Sequence, residues 1–149
     1  MPPKSSAMTV DPITAELEVL SDEFALFDDW EERYRHIIEL GRELEPLSPE
    51  EHTDANKVRG CASQVWLVTE PRPDGAIHYR GDSDAHIVRG LIAILLRLFS
   101  GRRPEEILAF DAAAAFETLG LKGALSQQRS NGLASMVVRI RRDAEAALV

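Results

Sequence analysis

Apolar residues recur at helical spacing near both ends of this chain and alternate with polar ones in its middle. Leu17, Leu20, Phe24 and Phe27 stand three or four residues apart, which predicts a helix. Asp11-Pro12 opens it, an aspartate to cap the free N–H groups and a proline whose φ suits the first turn. Asp29, with Glu32 three residues later, opens a second helix whose apolar face is Tyr34, Ile37, Ile38 and Leu44. Pro46, Pro49 and the solvated pair Glu50-Glu51 break the pattern. Residues 47–58 therefore read as a long surface connection and a candidate for movement.

The strongest β signal follows, the run Val65-Trp66-Leu67-Val68-Thr69, rich in β-branched and aromatic side chains. Pro71-Arg72-Pro73-Asp74-Gly75 bounds it, and the aspartate–glycine pair signals a hairpin. Ile77 and Tyr79 alternate with His78 and Arg80 in a second strand. Gly81-Asp82-Ser83-Asp84 closes that strand and can cap the next helix, a turn-and-cap reading that suits it better than catalysis. That helix carries Ile87, Val88, Leu91, Ile92, Leu95, Leu96 and Phe99, interrupted by Arg89 and Arg97, and is expected to be the core helix under the sheet. Gly101 and Pro104 end it, and short helical pieces run on to Gly120. Leu133, Met136, Val137 and Ile140 mark a final amphipathic helix. Arg139, Arg141 and Arg142 place positive charge in its C-terminal part, toward the negative end of the dipole. Docking of a partner is the second reading of those three.

Two helices, a small antiparallel sheet joined by a turn too short for a parallel crossover, then more helices make an α+β domain. The chain of 149 residues is read as a single domain over residues 11–149 behind a flexible tail, residues 1–10. A domain of this length buries roughly two-thirds of the surface of its unfolded chain. Its formal charge of -8 argues against nucleic-acid binding by phosphate neutralisation. The longest apolar segment, residues 87–99, is interrupted by two arginines and too short for a bilayer about 30 Å thick, so no membrane partner is expected. Residues 1–10 lack the apolar stretch of a signal peptide, and the single cysteine forbids an internal disulfide; a cytoplasmic location is expected.

That cysteine, Cys61, stands in a polar loop just before the first strand, beside Gly60, whose backbone freedom would let the thiol be presented and withdrawn. Sulfur chemistry and plain burial of a small hydrophobe are both open for it on position alone. Arg59 would favour its thiolate and burial would oppose it. A cysteine hydrolase would need a base, and the sequence sets no histidine beside Cys61. His36, His52, His78 and His86 fall in four different elements, without the close spacing of a zinc site, so no metal is expected.

The run Asn56-Lys57-Val58-Arg59-Gly60-Cys61-Ala62-Ser63-Gln64-Val65-Trp66-Leu67 resembles the cysteine segment of the SufE family of sulfur acceptors. Trp30-Glu31-Glu32-Arg33-Tyr34 with Ile37-Ile38-Glu39-Leu40-Gly41 agrees with it, as does Gly81-Asp82-Ser83-Asp84-Ala85 with Ile87-Val88-Arg89-Gly90-Leu91-Ile92. Residues 126–136, containing Arg129-Ser130-Asn131-Gly132-Leu133, agree as well. Ala62, where a polar residue is common, and Asn131, where glutamine is common, depart from the pattern.

The resemblance implies a SufE/NifU-like fold, a small curved antiparallel sheet packed against helices. It implies a carrier without a cofactor that takes persulfide sulfur from a pyridoxal-phosphate cysteine desulfurase onto Cys61, stimulates that enzyme and passes the sulfur to an iron–sulfur cluster scaffold complex. Cys61 would be the catalytic residue, at a loop tip that rests in a partly apolar pocket and extends on docking. Gln64 and Arg129 would hold the cysteine loop or meet the desulfurase; structurally, Gln64 would serve loop backbone groups and Arg129 would anchor the last helix. A paralogous acceptor serving a different desulfurase is the alternative, and a stand-alone cysteine enzyme a further one. A cluster scaffold would need several thiolates, and the chain has one.

Overall fold

Asp11 opens the first helix through its carboxylate, which accepts the N–H groups of Ile13 and Thr14 at 3.0 and 2.9 Å. Asp29 does the same for the second, accepting from Glu32 N–H at 2.8 Å. Each such cap is worth about 1 kcal/mol. In the computed structural model, which describes residues 11–61, 63–121 and 125–148, these helices are α1, Pro12–Ala25, and α2, Trp30–Arg42. The expected N-terminal tail lies outside the described residues. Phe27 and Leu44, predicted to extend the two apolar faces, fall just past the helix ends and are half-buried there.

Strand β1, Val65–Pro71, pairs antiparallel with β2, Ile77–Ser83, in a register that sets Val65 opposite Ser83 and Pro71 opposite Ile77. Gly75, at a φ of +90°, closes the turn by donating its N–H to the Arg72 carbonyl at 3.0 Å. The two-residue period divides the sheet: Val65, Leu67, Ile77 and Tyr79 are buried on one face, while Trp66, Arg80 and Asp82 occupy the other. The inner face packs on α3, His86–Phe99, and on α6, Gln127–Ala147. A Cβ at Gly81 would stand 2.8 Å from Ile92 Cγ2, so the missing side chain lets α3 lie close under the sheet. Tyr79 donates its buried hydroxyl to the Ile140 carbonyl at 3.0 Å and ties the same face to α6.

Helix α3 is the core helix that its apolar composition predicts, with Ile94, Leu98 and Phe99 fully buried. It meets α2 glycine to backbone. A Cβ at Gly90 would collide with the Ile37 carbonyl oxygen, and one at Gly41 would stand 2.6 Å from the Gly90 nitrogen. Arg97 forks from α3 to Glu16 and Glu23 on α1, at 2.6 and 2.7 Å. The short helices α4, Pro104–Ala109, and α5, Ala112–Leu119, close the far end.

Two expectations change. The Gly81-Asp82-Ser83-Asp84 run does not cap α3: the N-cap is Ala85, which has no capping side chain. Asp84 reaches back instead, accepting from Gln64 N–H at 3.0 Å, and its own N–H donates to the Gln64 carbonyl at 3.3 Å. Ser83 Oγ accepts from Ala85 N–H. The connection over residues 47–58 is not a free loop either. It holds a 3-10 turn, Pro49–Glu51, and then pairs with the edge of β1, with Val58 N–H on the Val65 carbonyl and Leu67 N–H on the Asn56 carbonyl, both at 2.8 Å.

This strap crosses the outer face of the sheet and is pinned to it by charge. Arg80 donates to both carboxylate oxygens of Glu51 and also to Glu70 at 2.9 Å. His52 lies edge-on to Trp66, ring centroids 4.6 Å apart, with Nε2 3.0 Å from Asp82 and Nδ1 2.8 Å from the Ser48 carbonyl. The strap ends at Val58, three residues before the cysteine.

Candidate functional site

The segment leading to Cys61 lies along α6 and runs in the opposite sense. Arg139 donates to the carbonyls of Ala55 and Lys57, at 3.1 and 3.5 Å. Gly60, at a φ of +91°, comes so near that a Cβ there would stand 2.5 Å from Ser135 Oγ. Cys61 Sγ donates to the Gly132 carbonyl at 3.6 Å. Positions 132, 135 and 139 share one face of a helix, so a single stripe of α6 seats the whole approach to the cysteine.

Beneath the thiol is a cavity of about 170 Å³, walled by Val65, Val88, Leu91, Gly132 and Met136, with Ser126, Gln128 and Arg129 also bordering it. Its apolar wall comes from β1, α3 and α6 together. A Cβ at Gly132 would lie 3.5 Å from Sγ, so the absent side chain leaves the sulfur its space on that side. Cys61 is half-buried here, and desolvation pushes its thiol above the ordinary range. Arg59 is exposed and borders a neighbouring groove instead, so burial outweighs the positive charge that its place beside the cysteine suggested. At neutral pH the resting sulfur is a thiol.

Arg129 reaches the cavity from the first turn of α6, where its N–H bonds the Ser126 cap at 3.2 Å. Gln64 does not border the cavity. Its side chain is exposed, and its main-chain N–H and carbonyl are held by Asp84. None of the four histidines borders the cavity: His52 is engaged with Asp82, His36 with Glu23, and His78 with Glu45 and Ser100. A thiol–imidazole pair, the first requirement of a cysteine hydrolase, does not form among the described residues. Nor do three or more His, Cys, Asp or Glu side chains converge there as a metal site would need.

The sequence reading missed Gly132, Ser135 and Met136 as parts of this site, although all three stand in one short stretch of α6. They stand within the 126–136 block that shares in the family resemblance, but apart from it their signal is helical spacing, which by itself reads as core. Asp84, read as a cap, was the second miss.

A free, half-buried thiol thus follows a positive-φ glycine and borders a cavity with both apolar and polar walls. The model of the SufE family, described as the Fe-S metabolism associated domain, matches residues 18–144. This chain belongs to the SufE family. Membership places it in iron–sulfur metabolism and supports a sulfur-transfer role there. An uncharacterised SufE-like protein of Rhizobium etli is 54% identical over 134 residues, covering 88% of this chain and 90% of that one. A second, of Rhizobium meliloti, is 50% identical over 135 residues, covering 89% and 96%. The solution structure of a hypothetical protein from Thermus thermophilus shares the fold at a TM-score of 0.73 and 18% identity, covering 89% of this chain and 96% of that one. The expected α+β architecture, helices around one antiparallel hairpin, is the one observed. No helix among the described residues is long and apolar enough to cross a membrane.

Proposed function

We propose that this SufE family member is a sulfur carrier that accepts sulfane sulfur on Cys61 from the persulfide of a pyridoxal-phosphate cysteine desulfurase, stimulates that enzyme, and hands the sulfur to an iron–sulfur cluster scaffold. The Cys61 thiolate attacks the outer sulfur of the desulfurase persulfide, the old S–S bond breaks, and the desulfurase cysteine leaves as a thiolate. Cys61 then carries the outer sulfur as its own persulfide, with no net oxidation or reduction. The next acceptor thiolate repeats the exchange. Residues 11–149 form the acceptor domain in this reading, with residues 1–10 outside it. The reducing cytoplasm is the compartment in which a lone working thiol stays free.

The observation that carries the proposal is the seat of Cys61: a half-buried thiol at a positive-φ glycine, hydrogen-bonded to Gly132 over a cavity of about 170 Å³. One water occupies about 30 Å³ of liquid, so the cavity has room for a second sulfur atom. Burial keeps the resting thiol protonated and slow to react, and would shelter a persulfide from oxidants. Extension about Gly60 on docking breaks one sulfur hydrogen bond and returns the thiol to solvent or to the partner's site, where the penalty on its thiolate is removed.

Cys61→Ser tests the assignment. The variant is expected to keep the thermal midpoint of the parent within a few degrees, to gain no sulfur from any desulfurase supplied with cysteine, and to stimulate none. A serine variant that still gains sulfur and still stimulates turnover excludes Cys61 as the acceptor.

A further inference from the structure

The stripe of α6 next to the one that seats the cysteine segment is uncovered. Ala134 is exposed, Val138 is 65% exposed, and the Arg142 side chain is 70% exposed. Between this stripe and residues 54–59 runs an open groove of about 560 Å³. Four cationic side chains border it, Lys57, Arg59, Arg139 and Arg142, against one carboxylate, Asp54. That is the reverse of the whole chain, which carries 25 acidic and 17 basic side chains.

The cations are not equivalent. Arg139 is engaged by Asp143 at 3.2 Å and by the carbonyls of residues 55 and 57, so it braces the strap. Arg141, outside the groove, donates to the Leu108 carbonyl at 3.1 Å. Among the described residues Arg142 pairs only with Asp143, at 3.9 Å, a carboxylate that Arg139 already holds. The side chains of Lys57 and Arg59 make no hydrogen bond or ion pair with the described residues. Three cations thus gather beside an exposed apolar side chain with little to neutralise them. Like charges held close repel one another, and an anionic partner relieves the repulsion as it binds.

We propose that this groove docks an acidic segment of the desulfurase that loads Cys61, with carboxylates meeting Lys57, Arg59 and Arg142 and an apolar side chain covering Val138. The proposal rests on the sulfur-acceptor reading and names how that acceptor recognises its donor. Ser135, which borders the groove, also faces Gly60, and groove and cavity share no lining residue, so a segment seated in the groove lies beside the hinge without covering the cavity. Docking there grips the fixed side of the cysteine loop and leaves Gly60 and Cys61 free to extend. The same charges steer encounter, an effect that weakens as salt rises.

The test is the double variant Lys57→Glu/Arg142→Glu, which leaves Cys61, the cavity and the Arg139 brace intact. It is assayed with whichever desulfurase, supplied with cysteine, adds sulfur to the wild-type protein. The half-saturating acceptor concentration is expected to rise on the order of tenfold at low ionic strength, with the saturated rate unchanged and the difference shrinking at high salt. Lys57→Arg/Arg142→Lys is expected to restore wild-type behaviour, and loading of Cys61 by inorganic polysulfide, which needs no docking, is expected to be equal in all variants. Wild-type loading with an unaltered half-saturating concentration in the double variant overturns the docking proposal alone. Failure of every desulfurase to load the wild-type protein overturns the acceptor reading and this proposal with it. A wild-type dimer that the double variant dissolves makes the occupant a second copy of the chain and overturns it too.

Discussion

The Cys61 thiol donates to the main-chain carbonyl of Gly132 across 3.6 Å, joining residues 71 positions apart in the chain. Glycine at 132 removes the side chain that would otherwise touch the sulfur, and Val65, Val88, Leu91 and Met136 form the apolar part of the cavity wall behind it. The bond and the burial act in the same direction, since both favour the neutral thiol over the thiolate.

Alkylation of Cys61 by iodoacetamide therefore rises with pH through a midpoint above that of the same cysteine in the urea-unfolded chain. Desolvation is the cause of the upward shift, and unfolding removes it. Rates followed by mass spectrometry in the native and unfolded protein measure the difference. A native midpoint equal to or below the unfolded one contradicts the resting geometry.

Substitution at Gly132 separates helix stability from sulfur chemistry. The position lies inside α6, where alanine is favoured over glycine by roughly 1 kcal/mol, and an alanine Cβ would make only ordinary contact with Sγ at 3.5 Å. Gly132→Ala is expected to hold or raise the thermal midpoint. Gly132→Leu is expected to fill the cavity, expel the thiol and raise its alkylation rate at neutral pH, as the upward shift from burial is lost. Equal alkylation rates in the leucine variant and the parent would show that the cavity does not hold the sulfur.

The strap over residues 48–56 is gripped by groups that titrate at opposite ends of the mild pH range. The Arg80 guanidinium and the Ser48 N–H hold the Glu51 carboxyl at about 2, below its ordinary 4.5, so this contribution is complete above pH 4.5 and lost as the pH falls toward 2. The Asp82 carboxylate raises His52 above its ordinary 6.5, so that contribution is complete below pH 6.5 and lost as the pH climbs through the raised value. The strap is held most firmly between about pH 4.5 and 6.5. Trp66 reports it, because His52 lies edge-on to its ring. In a Trp30→Phe background, Trp66 fluorescence is expected to show an upper transition that Asp82→Asn moves to lower pH. A profile unaffected by Asp82→Asn contradicts the pairing.

Local chemistry was legible from the sequence and distant chemistry was not. Asp11 and Asp29 cap helices because a cap needs only residues two or three along the chain. The hairpin is where the aspartate–glycine pair puts it. Asp84 misled, since the same local pattern that suits a cap lets its carboxylate reach Gln64, 20 residues back. Arg139 and Arg141 fit the helix dipole on paper, yet each donates to a carbonyl from another part of the chain, and only Arg142 is left for the surface. Cys61 could be singled out by solitude and by its glycine. Its cavity could not, because the walls come from β1, α3 and α6, which no sequence period brings together. Nor did the freedom expected over residues 47–58 foresee Arg80, whose pairing with Glu51 spans 29 positions.

The acceptor role of Cys61 is tested most directly by weighing the protein. The wild-type chain is incubated with cysteine desulfurases and free cysteine, and the intact mass and the Cys61 peptide are measured before and after thiol reduction. The expected result is an added mass of one sulfur atom on Cys61, removed by the reductant and absent without desulfurase. No sulfur on Cys61 with any desulfurase would contradict the acceptor role.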